Sequence, residues 1–371
     1  MALTEEQADL ARTVRSVLER QSGSAQVRAA VESPCGYDDK LWSVLCEQIG
    51  VAALLIPERY GGVGAGAREL QVVAEELGRC VTPAPLLGSA ALATSALLAS
   101  GDEAVCERLL PGLAAGVAVA SLAWVGPAGR WDPTEAAFIA SINGDKYTVD
   151  GRAHFVLDGD CADTLLVVAH CGDELGLFHV APAQAAVQRR HAVSMDQTRR
   201  LATVTLTGAR AERIGVADFR RSLGDIRDLA CAVLAAEQVG GAAAALAATV
   251  DHTKNRVQFG RPIGSFQALK HRMADLHVLV ESARSACYAA GEAIAEGSTG
   301  AAQAALTAKV YCAEAFSTVA GEMIQLHGGI AITWEHDAHL YFKRAHSSAQ
   351  LFGQPHDHLI RLAQLIASRT D

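Results

Sequence analysis

Apolar positions along this chain change their period twice. The stretch TEEQADLARTVRSVLERQ has Leu10, Val14, Val17 and Leu18 at helical spacing. Thr4 with Gln7 three residues later forms a capping box at its start. DDKLWSVLCEQIGV opens at an aspartate cap and stops near Gly50, and RELQVVAEELG is read as a helix stopped by Gly78. Alanine-rich helices are predicted around 86–100 and 103–115. Near residue 117 the pattern becomes short alternating runs. They are punctuated by Asn143-Gly144, Asp150-Gly151 and Asp158-Gly159, which predicts an all-β segment, a small barrel or a sandwich. From 225 onward helical spacing returns. One long helix is followed by helices over 266–296, 300–326 and 355–369, the last opening on Pro355. The Gly240-Gly241 pair inside the long helix is tolerable where another backbone packs closely. The expected architecture is α+β and multidomain: an N-terminal helical domain (1–116), a central β-domain (117–222) and a C-terminal helical bundle (223–371).

With 371 residues, 50% hydrophobic and 20% charged, the chain is long enough for two or three domains with their own cores. A net charge of −9 argues against nucleic-acid or anionic-membrane partners. No run of about 18 apolar residues is evident, so no membrane span is expected. The polar, acidic start MALTEEQADLART is unlike a signal peptide. The nine cysteines are scattered, odd in number and never in a C-x-x-C pair, which reads as reduced thiols of a cytoplasmic protein.

Four stretches carry candidate chemistry: IPERYGGVG (56–64), INGDKYTVDGRAHFVLDGDCADTLLVVA (142–169), RVQFGRPIGSFQALKHRMAD (256–275) and QLHGGIAITWEHDAHLYFKRA (325–345). The third is the most specific: a guanidinium can grip an anion bidentately, and glycines let backbone approach closely. Residue by residue, Arg256 also reads as a helix C-terminal cation, Phe259 as core and the glycines as turn formers. Together, and in helix–β–helix order over the whole chain, these stretches resemble the acyl-CoA dehydrogenase family of flavoproteins. The resemblance implies a C-terminal four-helix bundle, FAD as cofactor, an acyl-CoA substrate and an electron-transferring flavoprotein as acceptor. It implies that Arg256, Phe259, Gly260, Ile263 and Gln267 reach across a subunit interface to the ADP half of a neighbour's FAD. Gln325, Gly328 and Gly329 match a second contact to the same moiety.

The implied reaction is α,β-dehydrogenation of a thioester, for which a carboxylate in a dry pocket takes the α-proton. By the family pattern Gly-Gly-x-Gly-aromatic-x-x-Glu, Glu335 is the candidate base; its bland reading is a surface glutamate at a helix start. In another branch the base falls near Ala230, where Asp228 is the nearest acid. The histidines His336, His339 and His346 with Asp337 read as packing or surface residues rather than a metal site. QRRH (188–191) reads as a solvated loop or a site for CoA phosphates.

The chain departs from the family in the β-domain. VGPAGRWD (125–132) stands where a Thr-Glu-Pro-x-Ala-Gly-Ser-Asp stretch is expected, and FVLDG where Phe/Trp-Ile-Thr-Asn-Gly is, so that Leu157 replaces a hydroxyl. FGQPHDH has lost a threonine of a Glu-Gly-Thr-Ser-like pattern. The losses fall on parts that hold a subunit's own flavin, whereas the parts serving a neighbour's flavin are intact. The expectation is one subunit of a hetero-oligomer, resembling the actinobacterial heterotetrameric dehydrogenases of steroid side chains. The alternatives are a self-sufficient homotetramer with Glu335 as base and a catalytically silent structural subunit.

Overall fold

The computed structural model describes residues 3–144, 146–215 and 217–367. The predicted last helix therefore ends, as far as it is described, at Ala367; positions 368–369 lie outside the described residues. The chain divides into two compact units. One comprises residues 1–27, 71–82 and 231–371, the other residues 28–70 and 83–230.

The first helices are α1 (Glu5–Gln21), α2 (Ser24–Glu32), α3 (Asp39–Val44), α4 (Ala67–Arg79), α5 (Thr94–Ser100) and α6 (Glu103–Ala114). The capping box forms as expected: the Gln7 N–H donates to Thr4 Oγ1 and the Thr4 N–H to Gln7 Oε1, both at 3.2 Å. Asp38 caps α3, and Gly50, at φ 79°, closes the helical run that follows it. The predicted stop at Gly78 is corrected. The helix continues to Arg79, and Gly78 serves packing, because a Cβ there would overlap the backbone carbonyl of Glu237.

The strands are β1 (Ala120–Ala123), β2 (Phe138–Asn143), β3 (Lys146–Leu157), β4 (Thr164–Cys171), β5 (Glu174–Val180), β6 (Val187–His191) and β7 (Leu201–Ile214). Their pairings close on themselves: β4 with β2, β2 with β3, β3 with β7, β7 with β5 and β5 with β4. The all-β segment is thus a barrel, with β1 added in parallel to β4 and β6 antiparallel to β7. Alternate residues point inward, so Leu165, Val167 and Ala169 of β4 meet Phe138, Val149, Phe178 and Val204 in a core that excludes solvent. Leu166 and Val168, on the opposite face of β4, are buried too.

Beyond the barrel come α7 (Arg220–Asn255), a two-stranded ribbon of β8 (Val257–Gln258) and β9 (Arg261–Pro262), then α8 (Gln267–Ala295), α9 (Ala301–His327), α10 (Ala338–Gln350) and α11 (Pro355–Ala367). The close approach inferred for the glycine pair is present. A Cβ on Gly240 would overlap the Glu75 carbonyl, and one on Gly241 would stand 2.5 Å from the Phe316 ring. Helix α7 also holds an 18-residue window of mean hydropathy 1.6, long and apolar enough to cross a membrane by composition alone. The sequence reading overlooked this window because alanines are only weakly apolar one by one. Inside the structure 83% of it is buried, so protein rather than lipid solvates this helix. The helical core is formed by Ala242, Ala245, Leu276, Val280, Phe316, Val319 and Met323. Lys309 is fully buried there, its Nζ donating to the carbonyls of Ser348 and Ala349 at the end of α10 (3.0 and 3.1 Å).

Candidate functional site

Helix α7 ends at Asn255, and the chain turns back at once. The Arg256 N–H donates to the His252 carbonyl, and the Arg256 carbonyl accepts from the Ile263 N–H, each at 2.8 Å. Between them β8 and β9 pair Val257 with Pro262 and Gln258 with Arg261. This leaves Phe259 and Gly260 as a two-residue turn with φ of 54° and 76°. Positive φ at both central positions is the type I′ geometry, for which Gly260 is suited and phenylalanine is not. Strain of this kind is held by its surroundings and tends to sit at functional positions. Phe259 is nevertheless 91% exposed. Its ring meets Phe266 edge-on at 6.1 Å, and the Arg261 guanidinium lies 3.9 Å over the other ring. The hairpin therefore presents a large apolar face to solvent, which in water costs free energy that a bound partner or ligand would recover.

The remaining residues proposed from the sequence flank this turn or lie at the end of α9. Arg256 is exposed and has no ion-pair partner among the described residues. Ile263 is half-buried, and Gln267 is the exposed first residue of α8. Gly264 sits against the end of α7, where a Cβ would approach the Thr253 carbonyl to 3.0 Å. Gln325, Gly328 and Gly329 are exposed; Gly328 has φ 68°, and nothing lies within 4 Å of a Cβ built on either glycine. An exposed uncompensated guanidinium, an exposed aromatic and open glycines are the donor set that fits the diphosphate and adenine of a dinucleotide.

The structure unites these two segments through a feature that sequence reading missed. The rings of His252 and His327 lie 4.2 Å apart, and those of His327 and His336 lie 4.6 Å apart. His327 Nδ1 donates to the Met323 carbonyl at 2.8 Å, and His336 Nδ1 accepts from the Ala338 N–H at 3.1 Å. His339 meets the Trp334 ring edge-on at 4.9 Å, and His346 meets the Phe342 ring at 4.4 Å. His252 sits one turn before Arg256, a spacing that could have suggested proximity to the loop but not to residues 75 positions later. No cluster of His, Cys, Asp or Glu suited to a metal ion occurs among the described residues.

Burial is the first cause that holds the His252 and His327 imidazoles below their ordinary value of 6.5. Repulsion from His336 and from Arg256 adds to it at His252, and repulsion from His252 and His336 adds to it at His327. Both rings thus lose their protons more readily in the fold than in the unfolded chain, which binds protons near 6.5. Their contribution to stability is fully present above that value and is lost as pH falls through the lower folded values. Urea unfolding of the full chain is expected to show a lower midpoint near pH 5.5 than near pH 7.5, and His252→Gln to reduce that difference. Equal pH slopes for the two proteins would show that the stack does not titrate with folding.

Glu335 lies between the glycine pair and α10 and is exposed. Its neighbour Trp334 is 67% exposed, with the Lys343 ammonium 4.3 Å over its ring. Asp228 is instead buried, 3.6 Å from the Arg227 guanidinium. In the barrel-bearing unit, Trp131 is buried, edge-on to Trp124 at 5.1 Å, and its carbonyl accepts from Arg227 Nη1 at 2.9 Å. Leu157 is buried, and its carbonyl accepts from Ser121 Oγ at 2.7 Å. Hydrocarbon and indole thus occupy the segments where hydroxyl donors were expected, so this side fits a polar flavin edge less well than residues 256–267 and 325–329 fit a dinucleotide's ADP.

Two family profiles match the chain: acyl-CoA dehydrogenase N-terminal domain over residues 4–117 and acyl-CoA dehydrogenase C-terminal domain over 229–364. The chain is 44% identical to acyl-CoA dehydrogenase IpdE2 of Mycobacterium tuberculosis, over 98% of both chains. Among solved structures it is similar to a Tcur3481-Tcur3483 steroid ACAD G363A variant (31% identity, TM-score 0.89, 99% of each chain). It is also similar to the ChsE4-ChsE5 complex from Mycobacterium tuberculosis (27%, TM-score 0.90, 99% of this chain and 98% of that one). Helical ends around a β-barrel, with both family domains matched and near-complete coverage of such a relative, establish that the chain belongs to the acyl-CoA dehydrogenase family of FAD-dependent oxidoreductases.

Proposed function

We propose that this chain is one subunit of a hetero-oligomeric acyl-CoA dehydrogenase. In it the 256–267 hairpin and residues 325–329 complete an FAD site carried mainly by a homologous partner subunit. The observation that carries this reading is the strained, 91% exposed Phe259 at the tip of the hairpin, beside the uncompensated Arg256. The apolar replacements at Leu157 and Trp131 support a weakened flavin site of the chain's own. The substrate is a bulky, steroid-type acyl-CoA, in keeping with the steroid dehydrogenase and the two-component complex among its structural relatives. When bound, FAD supplies the redox chemistry. The chain's own residues then supply a guanidinium for the diphosphate, an aromatic for the adenine end and Glu335 as the candidate α-proton acceptor. Electron-transferring flavoprotein is the acceptor, and the complex works in the cytoplasm.

Flavin absorbance per chain tests this. The chain purified alone is expected to be colourless, and with its partner to carry about one flavin for each pair of unlike chains. A yellow protein with one flavin per chain when purified alone would overturn the proposal and favour a self-sufficient enzyme.

A further inference from the structure

In the barrel-bearing unit, the loop Pro34–Gly36 meets the turn that follows β3. A single guanidinium fastens both. Arg200 Nη2 donates to the Pro34 carbonyl at 2.9 Å, and Arg200 Nε and Nη2 donate to Asp160 Oδ2 at 2.9 and 2.6 Å. Gly36, at φ 75°, leaves just enough room: a Cβ there would stand 3.0 Å from Arg200 Cδ. The turn is closed by the Cys161 N–H donating to the Asp158 carbonyl at 3.1 Å. Its thiol donates at 3.5 Å to the carbonyl of Pro34, the residue that precedes Cys35. Two thiols distant in sequence are thus brought together on segments already pinned, and both are half-buried rather than sealed in the core.

We infer that Cys35 and Cys161 are a redox modification site, a dithiol that peroxide converts to a disulfide. The Cys35 thiolate attacks a peroxide oxygen; the S–O bond forms, the O–O bond breaks, and the departing hydroxide leaves as water after taking a proton. Cys161 then attacks the Cys35 sulfenic sulfur; the S–S bond forms, the S–O bond breaks, and a second water leaves. Two thiols lose two electrons in total, and one peroxide gains them. Burial first, then Cys35 and Asp160, push the Cys161 thiol up to about 12, which makes it a poor first nucleophile. Arg200 holds the Pro34 carbonyl and Asp160 at once, which keeps the segments that carry the two cysteines beside each other. The bridge would close a long loop of the unfolded chain, which is where disulfides stabilise most.

The test is peptide mapping of the full chain after hydrogen peroxide, with free thiols alkylated before digestion. A Cys35–Cys161 crosslinked peptide, lighter by two hydrogens and reversed by dithiothreitol, is expected. It should be lost in Cys35→Ser and in Cys161→Ser and kept in Cys80→Ser. Oxidised wild-type protein should melt several degrees above the reduced form, and Cys161→Ser should melt identically with and without peroxide. Alkylation of both cysteines after treatment, oxidation of Cys35 beyond the sulfenic stage, or a different partner for Cys35 would overturn the inference. These readouts need no flavin and no partner subunit, so they stand apart from the proposed function.

Discussion

Replacing Arg344 by methionine is expected to destabilise the unit formed by residues 1–27, 71–82 and 231–371 by roughly 3–5 kcal/mol, the cost of stranding a buried charge. Arg344 of α10 donates from Nε to Glu237 Oε1 of α7 at 2.9 Å, and the two side chains are only 5% and 11% exposed. The loss is not that of one favourable contact. It is the penalty for leaving the Glu237 carboxylate in a low dielectric without its counter-charge. The measurement is urea unfolding followed by far-UV circular dichroism, because that unit is largely helical. A midpoint drop of about 1–2 M corresponds to the expected change. The double variant Glu237→Gln with Arg344→Met should recover part of the loss, since the buried charge is then absent from both sides. A single variant within about 0.5 kcal/mol of wild type would mean that Glu237 is solvated or carried by other partners.

Replacing Arg256 by alanine is expected to weaken flavin retention by the assembled complex by about 10–100-fold, from the roughly 1.5–3 kcal/mol of a charge-assisted hydrogen bond. The guanidinium is exposed and has no ion-pair partner among the described residues, so its removal should leave the urea midpoint of the chain unchanged. Arg256→Lys keeps the charge but not the planar fork, and should lie between the two. Flavin fluorescence on dilution, which rises as FAD is released, reads the affinity directly and does not depend on turnover. Unchanged retention in Arg256→Ala would remove this residue from the site. The same loss in the chain purified alone would point to a flavin held by its own subunit.

Much of the fold follows from local chemistry. The capping box at Thr4 and Gln7, the aspartate cap before α3 and the Asn143-Gly144 turn act over a few residues, so the order of helices, barrel strands and helices is readable from the chain; Asp150-Gly151, expected to be a turn, instead lies inside β3 at a register shift. The Gly240-Gly241 pair was legible for the same reason, since two glycines inside a helix need a close neighbour. The stop assigned to Gly78 was not, because whether a glycine ends a helix or admits another one depends on what lies beside it; here that is the Glu237 carbonyl. Periodicity could not choose between barrel and sandwich either, because alternation gives the inward face of each strand but not which edges meet. Closure through β4–β5 and β5–β7 decided that.

The candidate site divides along the same line. The residue types at Arg256, Phe259, Gly260 and Gln267, and at Gln325, Gly328 and Gly329, carry their chemistry in sequence, because a guanidinium, an aromatic and permissive glycines mean the same thing in any fold. The tertiary structure decided that Phe259 stands in a strained turn and faces solvent, that His252, His327 and His336 stack across two segments, and that Cys161 is held against the Pro34–Gly36 loop that carries Cys35. Each of these joins residues distant in the chain or depends on burial, and neither contact nor burial is a property of a residue by itself.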